Sequence, residues 1–157
     1  GLFSGKILSH FSAEISAVIA LTFFIPLLTG MGGNVGTQSS TVTVRGIATG
    51  QIKDEGIGLV IMREALTGLA IGSVLGIIVG GVASLWLGKP MIGLIVGLAM
   101  LGNMFTAATM GTLVPLIFRR IGIDPAVASA PFISTAIDIT GLLIYSTLAT
   151  ISIAYLI

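Results

Sequence analysis

Segments 56–87, 91–118 and 125–157 are each long and apolar, and the last of them holds a single charge, Asp138. Crossing the hydrocarbon core of a bilayer takes roughly 20 such residues in a helix. A run of segments like these leaves the chain few options other than a bundle of membrane helices. Composition agrees: of 157 residues 55 % are hydrophobic and 8 % charged, and the mean hydropathy is +1.13. A soluble domain of this length carries roughly a quarter charged residues. The solvent for most of this surface is therefore lipid.

The spacing predicts an all-α, polytopic bundle of about five transmembrane helices, with residues 1–157 forming one membrane unit. Residues 1–11 read as the end of a first span whose start is cut off. The chain opens inside the apolar Gly1-Leu2-Phe3 with no initiator Met or signal peptide, as a fragment of a longer protein does. A second span runs from about Ser12 to Thr49. It is apolar through Leu28, then small and polar from Thr29 to Ser40. The third covers 56–87, with Arg63 and Glu64 expected at the water interface. The fourth covers 91–118 and the fifth 125–157. Asp124-Pro125 reads as the start of that last helix, Asp as N-cap and Pro at the first helical position.

Lys and Arg divide by side. Under a five-span alternation Arg45, Lys53, Arg63, Arg119 and Arg120 fall on one face of the membrane, Lys6 and Lys89 on the other. The first face is expected to be cytoplasmic.

Several function classes drop out. There is no Cys, so disulfides and thiolate metal sites are excluded, and His10 is the only histidine, which argues against zinc. A net charge of +1 offers nothing to a nucleic acid. An intramembrane aspartyl protease needs two carboxylates at depth and a serine protease needs a His with its Ser. Neither set is present, so the chain reads as no enzyme.

Glycine has a packing meaning here. Gly68, Gly72, Gly76 and Gly80 recur every four residues and make a smooth ridge where another backbone can approach; Gly93 and Gly97 repeat the device. Gly33-Asn34-Val35-Gly36-Thr37 is also echoed by Gly102-Asn103-Met104-Phe105-Thr106, a pattern that internal duplication produces in transporters.

Asp138 is the most informative residue. Its helix is expected to begin at Pro125 on the cytoplasmic side, so Asp138 lies about 20 Å along it, at or just beyond mid-membrane. A carboxylate there costs roughly 2.5–3.5 kcal/mol on insertion scales and by default marks an ion or proton path. Pro131, Ser134, Asp138, Gly141 and Tyr145 share a helical face, a small polar stripe in an apolar helix. The bland reading is a protonated Asp138 bonded to Ser134 or Thr135 and serving only packing. A proton relay would need a chain of titratable groups, and no second acid or His is expected at that depth.

The second span supplies a matching wall. Gly30, Asn34, Thr37 and Thr41 share a face, with Gly33 one turn from Gly30 and Pro26 loosening the ladder upstream. Helix packing alone accounts for the glycines but not for the neighbouring amide and hydroxyl side chains, which favour a cavity. One carboxylate per chain cannot strip a small divalent ion. Magnesium, though, keeps most of its water and is held by one or two carboxylates. Two copies of Asp138 across a twofold axis, the commonest oligomer symmetry, would supply two charges. Membrane voltage then favours entry of a doubly charged ion by roughly 4.6 kcal/mol per 100 mV.

The string from Pro26 to Ser39, with Val44-Arg45-Gly46 after it, resembles the signature of MgtE magnesium channels and their animal solute-carrier relatives. Asp124-Pro125-Ala126, Pro131 to Thr135, Asp138 and Gly141 resemble a second part of it, so the likeness covers nearly the whole chain. What the resemblance implies is a homodimer in the cell membrane whose pore runs between subunits, lined by the second and fifth helices. It also implies that the carboxylate at Asp138 holds the hydrated Mg2+, while Ser134, Gly30, Gly33 and Gly141 lie along the path or its gate. Proteins of that family usually carry an acidic regulatory domain and paired CBS domains before the membrane part, and these 157 residues contain neither. The leading expectation is a divalent-cation channel or facilitative transporter. An exchanger coupled to sodium or protons is the alternative, and a purely structural membrane subunit is the blandest reading.

Overall fold

The computed structural model of the protein describes residues 19–52, 56–127 and 130–156. The first expected span, with Lys6 and His10, lies outside the described residues, as does Lys53. Four α-helices follow in order: α1 (Ile25–Ala48), α2 (Ile57–Leu87), α3 (Pro90–Arg120) and α4 (Ala130–Leu156), with a short 3-10 turn at Pro125–Val127 before α4. No strand occurs among the described residues. All four helices are long and apolar enough to cross a membrane, the first of these spans reaching back to Ile19.

The segment before α1 is broken for a local reason. Pro26 has no N–H to return to Thr22, and the Phe23 and Phe24 amides bond only three residues back, to the Ala20 and Leu21 carbonyls. The ladder resumes where the Leu28 amide donates to the Phe24 carbonyl. At the far end of α2 the chain reverses within two residues. Gly88 takes a left-handed conformation (φ +64) and Pro90 opens α3 at a position where no amide partner is needed.

The start of α4 differs from the sequence expectation. Asp124 does cap a turn, its Oδ1 accepting from the Ala126 amide at 2.9 Å, but the turn is 3-10 and ends at Val127. The α-helix begins at Ala130, so Pro131 stands in its first turn, where its missing N–H has no effect on the ladder. Asp138 is then about 12 Å into the helix at 1.5 Å per residue.

α3 is the central helix. Ile92, Ile95, Val96, Met100 and Met104 are fully buried along it, and Ala107 packs with Ile133 and Ile137 of α4. α2 lies against α3 through its glycine ridge. A Cβ on Gly76 would stand 2.7 Å from the Gly97 carbonyl oxygen, and one on Gly80 would stand 2.6 Å from that of Gly93. The two backbones are in direct contact, the arrangement that replaces hydrophobic driving force inside a lipid solvent. Ile77, Leu85 and Trp86 of α2 are exposed, and the Trp86 ring stacks on Phe23 ahead of α1. α1 and α4 pack on the other side of α3 and against each other.

The Lys/Arg division has a structural counterpart. Arg119 Nη1 donates to the Ile52 carbonyl at 3.0 Å, which brings the C-terminal ends of α1 and α3 together. Lys89 sits at the opposite end, between α2 and α3.

Candidate functional site: a polar groove between α1 and α4

α1 and α4 leave a groove of about 850 Å³ between them. Its α1 wall is Pro26, Thr29, Gly30, Gly33, Asn34, Thr37 and Gln38; its α4 wall is Ala130, Pro131, Ser134 and Asp138. The α1 residues fall at three- and four-residue steps, so one helical face supplies them all. Among the described residues the lining holds one carboxylate and no cationic side chain.

The groove is tightest at Gly33. A Cβ placed there would stand 3.2 Å from Ser134 Oγ and 4.0 Å from Asp138 Oδ1, whereas one on Gly30 meets nothing within 4 Å. A side chain at position 33 would crowd Ser134 Oγ while standing at ordinary contact distance from the carboxylate.

The hydroxyls are oriented by their own helix. Thr37 Oγ1 donates to the Gly33 carbonyl at 2.7 Å, and Thr29 Oγ1 to the Ile25 carbonyl at 3.0 Å. With their protons spent on backbone, both oxygens face a ligand as acceptors only. Acceptors beside a carboxylate suit the water shell of a cation, whose protons point outward. Six waters at about 30 Å³ each occupy roughly 180 Å³, so the groove has room for a hydrated divalent ion. No three His, Cys, Asp or Glu side chains gather anywhere among the described residues. A bare, fully protein-coordinated ion therefore has no cage there.

Two expected lining residues lie elsewhere. Thr41 borders a neighbouring cavity of about 360 Å³ toward the C-terminal end of α1, which it shares with Thr37 and Arg45. It extends the seam rather than lining the groove itself. Gly141 does not line it. It is buried against α3, where a Cβ would stand 2.5 Å from Asn103 Oδ1. Tyr145, the last member of the expected stripe, is likewise turned inward, its hydroxyl donating to the Leu21 carbonyl at 2.6 Å.

Two polar side chains take places that sequence reasoning did not assign. Glu64, expected at the water interface, accepts from Ser39 Oγ at 2.8 Å and so backs the α1 wall. Asn103 is fully buried behind the groove. The echo of Gly33-Asn34 in Gly102-Asn103 was the one signal pointing to it, but the two asparagines differ in place: Asn34 is exposed on the groove and Asn103 is in the core.

Residues 25–148 match the MgtE family, described as a divalent cation transporter. The chain is 38% identical over 150 residues to the magnesium transporter MgtE of Bacillus subtilis. It is 39% identical over 155 residues to that of Enterococcus faecalis and 37% over 149 to that of Thermus thermophilus. These alignments take in 96%, 99% and 95% of this chain but 33%, 34% and 33% of the relatives. The chain thus spans about a third of the length of the curated relatives it matches.

Proposed function

Because the chain belongs to the MgtE family of divalent cation transporters, we propose that it is the membrane part of a multi-pass magnesium channel or facilitative transporter of the cell membrane. Hydrated Mg2+ passes along the α1–α4 groove, and Asp138 holds it through its water. The observation that carries this reading is the meeting of Asp138 and Ser134 with Gly33 across a polar groove that no cationic side chain lines among the described residues.

The groove is open on one side, with Asn34 exposed along it. Polar side chains facing lipid are costly, so a second copy of the chain closes the groove in this reading. Two Asp138 carboxylates then face one ion. The pair supplies the charge that a single side chain lacks, and the water shell stays in place because magnesium sheds it reluctantly. Membrane voltage supplies the driving force.

Exchange against sodium or protons is the competing reading, and Glu64 gives it a second acid within a membrane helix. Flux into liposomes separates the two. Mg2+ uptake that follows an imposed voltage and ignores sodium and proton gradients supports the channel. Uptake that requires either gradient replaces it with the exchanger.

A further inference from the structure

Asn103 of α3 is fully buried at the point where α1 and α4 both cross its helix. Its Nδ2 donates to the Leu28 carbonyl of α1 at 2.6 Å. Its carboxamide also occupies the space that side chains would take on two facing glycines. A Cβ on Gly32 would stand 2.6 Å from Nδ2, and one on Gly141 would stand 2.5 Å from Oδ1. The amide is thus inserted edgewise between the backbones of the two helices that form the groove.

The positions of those glycines tie the amide to the ion path. Gly32 precedes Gly33, the tightest point of the α1 wall, and Gly141 follows Asp138 by three residues, close to one turn. Asn103 therefore bears on α1 and α4 from behind, at the level where their front faces bring Gly33 toward Ser134 and Asp138. An apolar side chain of the same size would fill the space but leave the register of α1 unpinned. The bond to Leu28 fixes it. Among the described residues Asn103 Oδ1 is buried with no hydrogen-bond partner, a state that generally opposes folding by about 1–3 kcal/mol. That cost points to a role in position rather than in stability.

We propose that Asn103 is a positioning residue: its amide, wedged between Gly32 and Gly141, sets the separation of α1 and α4 and with it which hydrated cation the groove accepts. The inference rests on the groove being the ion path, which the Asp138→Asn comparison tests separately.

Moving the bulk from one helix to another tests the wedge. Gly141→Ala pushes a methyl group into Asn103 and lowers Mg2+ flux per folded protein by about tenfold, the scale of an overpacked core. Asn103→Ala lets the helices close and changes the Mg2+ to Ca2+ flux ratio. In the double variant the methyl group enters the vacated space, and flux recovers well above that of Gly141→Ala alone. If Gly141→Ala does not fold, recovery of folded protein in the double variant is the same readout. Losses that simply multiply in the double variant overturn the proposal. So does an Asn103→Ala variant whose flux ratio stays at the wild-type value, because general loosening lowers flux without altering selectivity. If Asp138→Asn conducts normally, the groove reading itself falls, and the two failures are told apart.

Discussion

Gly33 of α1 and Ser134 of α4 close the narrowest part of the groove: a Cβ added to Gly33 would stand 3.2 Å from Ser134 Oγ. The gap is therefore set by backbone on one side and a small hydroxyl on the other. Gly33→Val places two methyl groups in it and is expected to cut Mg2+ flux at least about tenfold with the protein still folded. Gly30→Ala, whose Cβ meets nothing within 4 Å, is expected to conduct as wild type. Flux per reconstituted protein for the pair checks whether glycine is needed here for passage or only for packing.

The ridge of α2 gives the opposite pattern. A Cβ on Gly76 would stand 2.7 Å from the Gly97 carbonyl oxygen, a backbone atom that cannot swing away. Gly76→Val is expected to destabilise the bundle by about 1–3 kcal/mol. It should appear as a lower melting temperature or less folded protein in detergent, while the molecules that do fold keep their ion preference.

Tyr145 holds the break upstream of Pro26. Its hydroxyl donates to the Leu21 carbonyl at 2.6 Å, and Tyr145 is only 3 % exposed. Tyr145→Phe keeps the ring and removes this bond, so thermal unfolding should show a loss of about 0.5–1.5 kcal/mol. An unchanged melting temperature would mean that the break is secured by packing of the ring alone.

Glu64 accepts from Ser39 across the α1–α2 contact. Glu64→Gln retains an acceptor oxygen and is expected to fold and conduct like wild type. Glu64→Ala leaves the Ser39 hydroxyl without that acceptor, at a cost of about 1–3 kcal/mol. Normal flux in the Gln variant, checked with and without a proton gradient, also argues against Glu64 as a coupling group.

Much of this architecture is legible in the sequence because lipid imposes a simple rule: long uncharged runs become helices. The four described spans, the ridge of Gly68 to Gly80 and the polar face of Gly30, Asn34 and Thr37 follow from length and period alone. Period has a limit, which Gly141 exposes. It places residues on one face of a helix without saying how the helix is rotated against its neighbours. Along α4 the stripe begins at the groove with Pro131, Ser134 and Asp138 and ends against α3 and the segment before α1 with Gly141 and Tyr145. The Asp124-Pro125 pair misleads differently, since the same cap chemistry starts a 3-10 turn as readily as an α-helix. Glu64 is missed because a charge near a helix end normally reaches for water, and only the location of Ser39 in space reveals the inward alternative.

Whether Asp138 holds the ion is decided by Mg2+ flux into liposomes for wild type and Asp138→Asn at equal protein and equal voltage. The substitution keeps size and hydrogen-bonding capacity and removes only the charge. Flux falling to the leak of protein-free liposomes, with the variant folded, is the result expected. Wild-type flux from Asp138→Asn would show that the ion passes without this carboxylate.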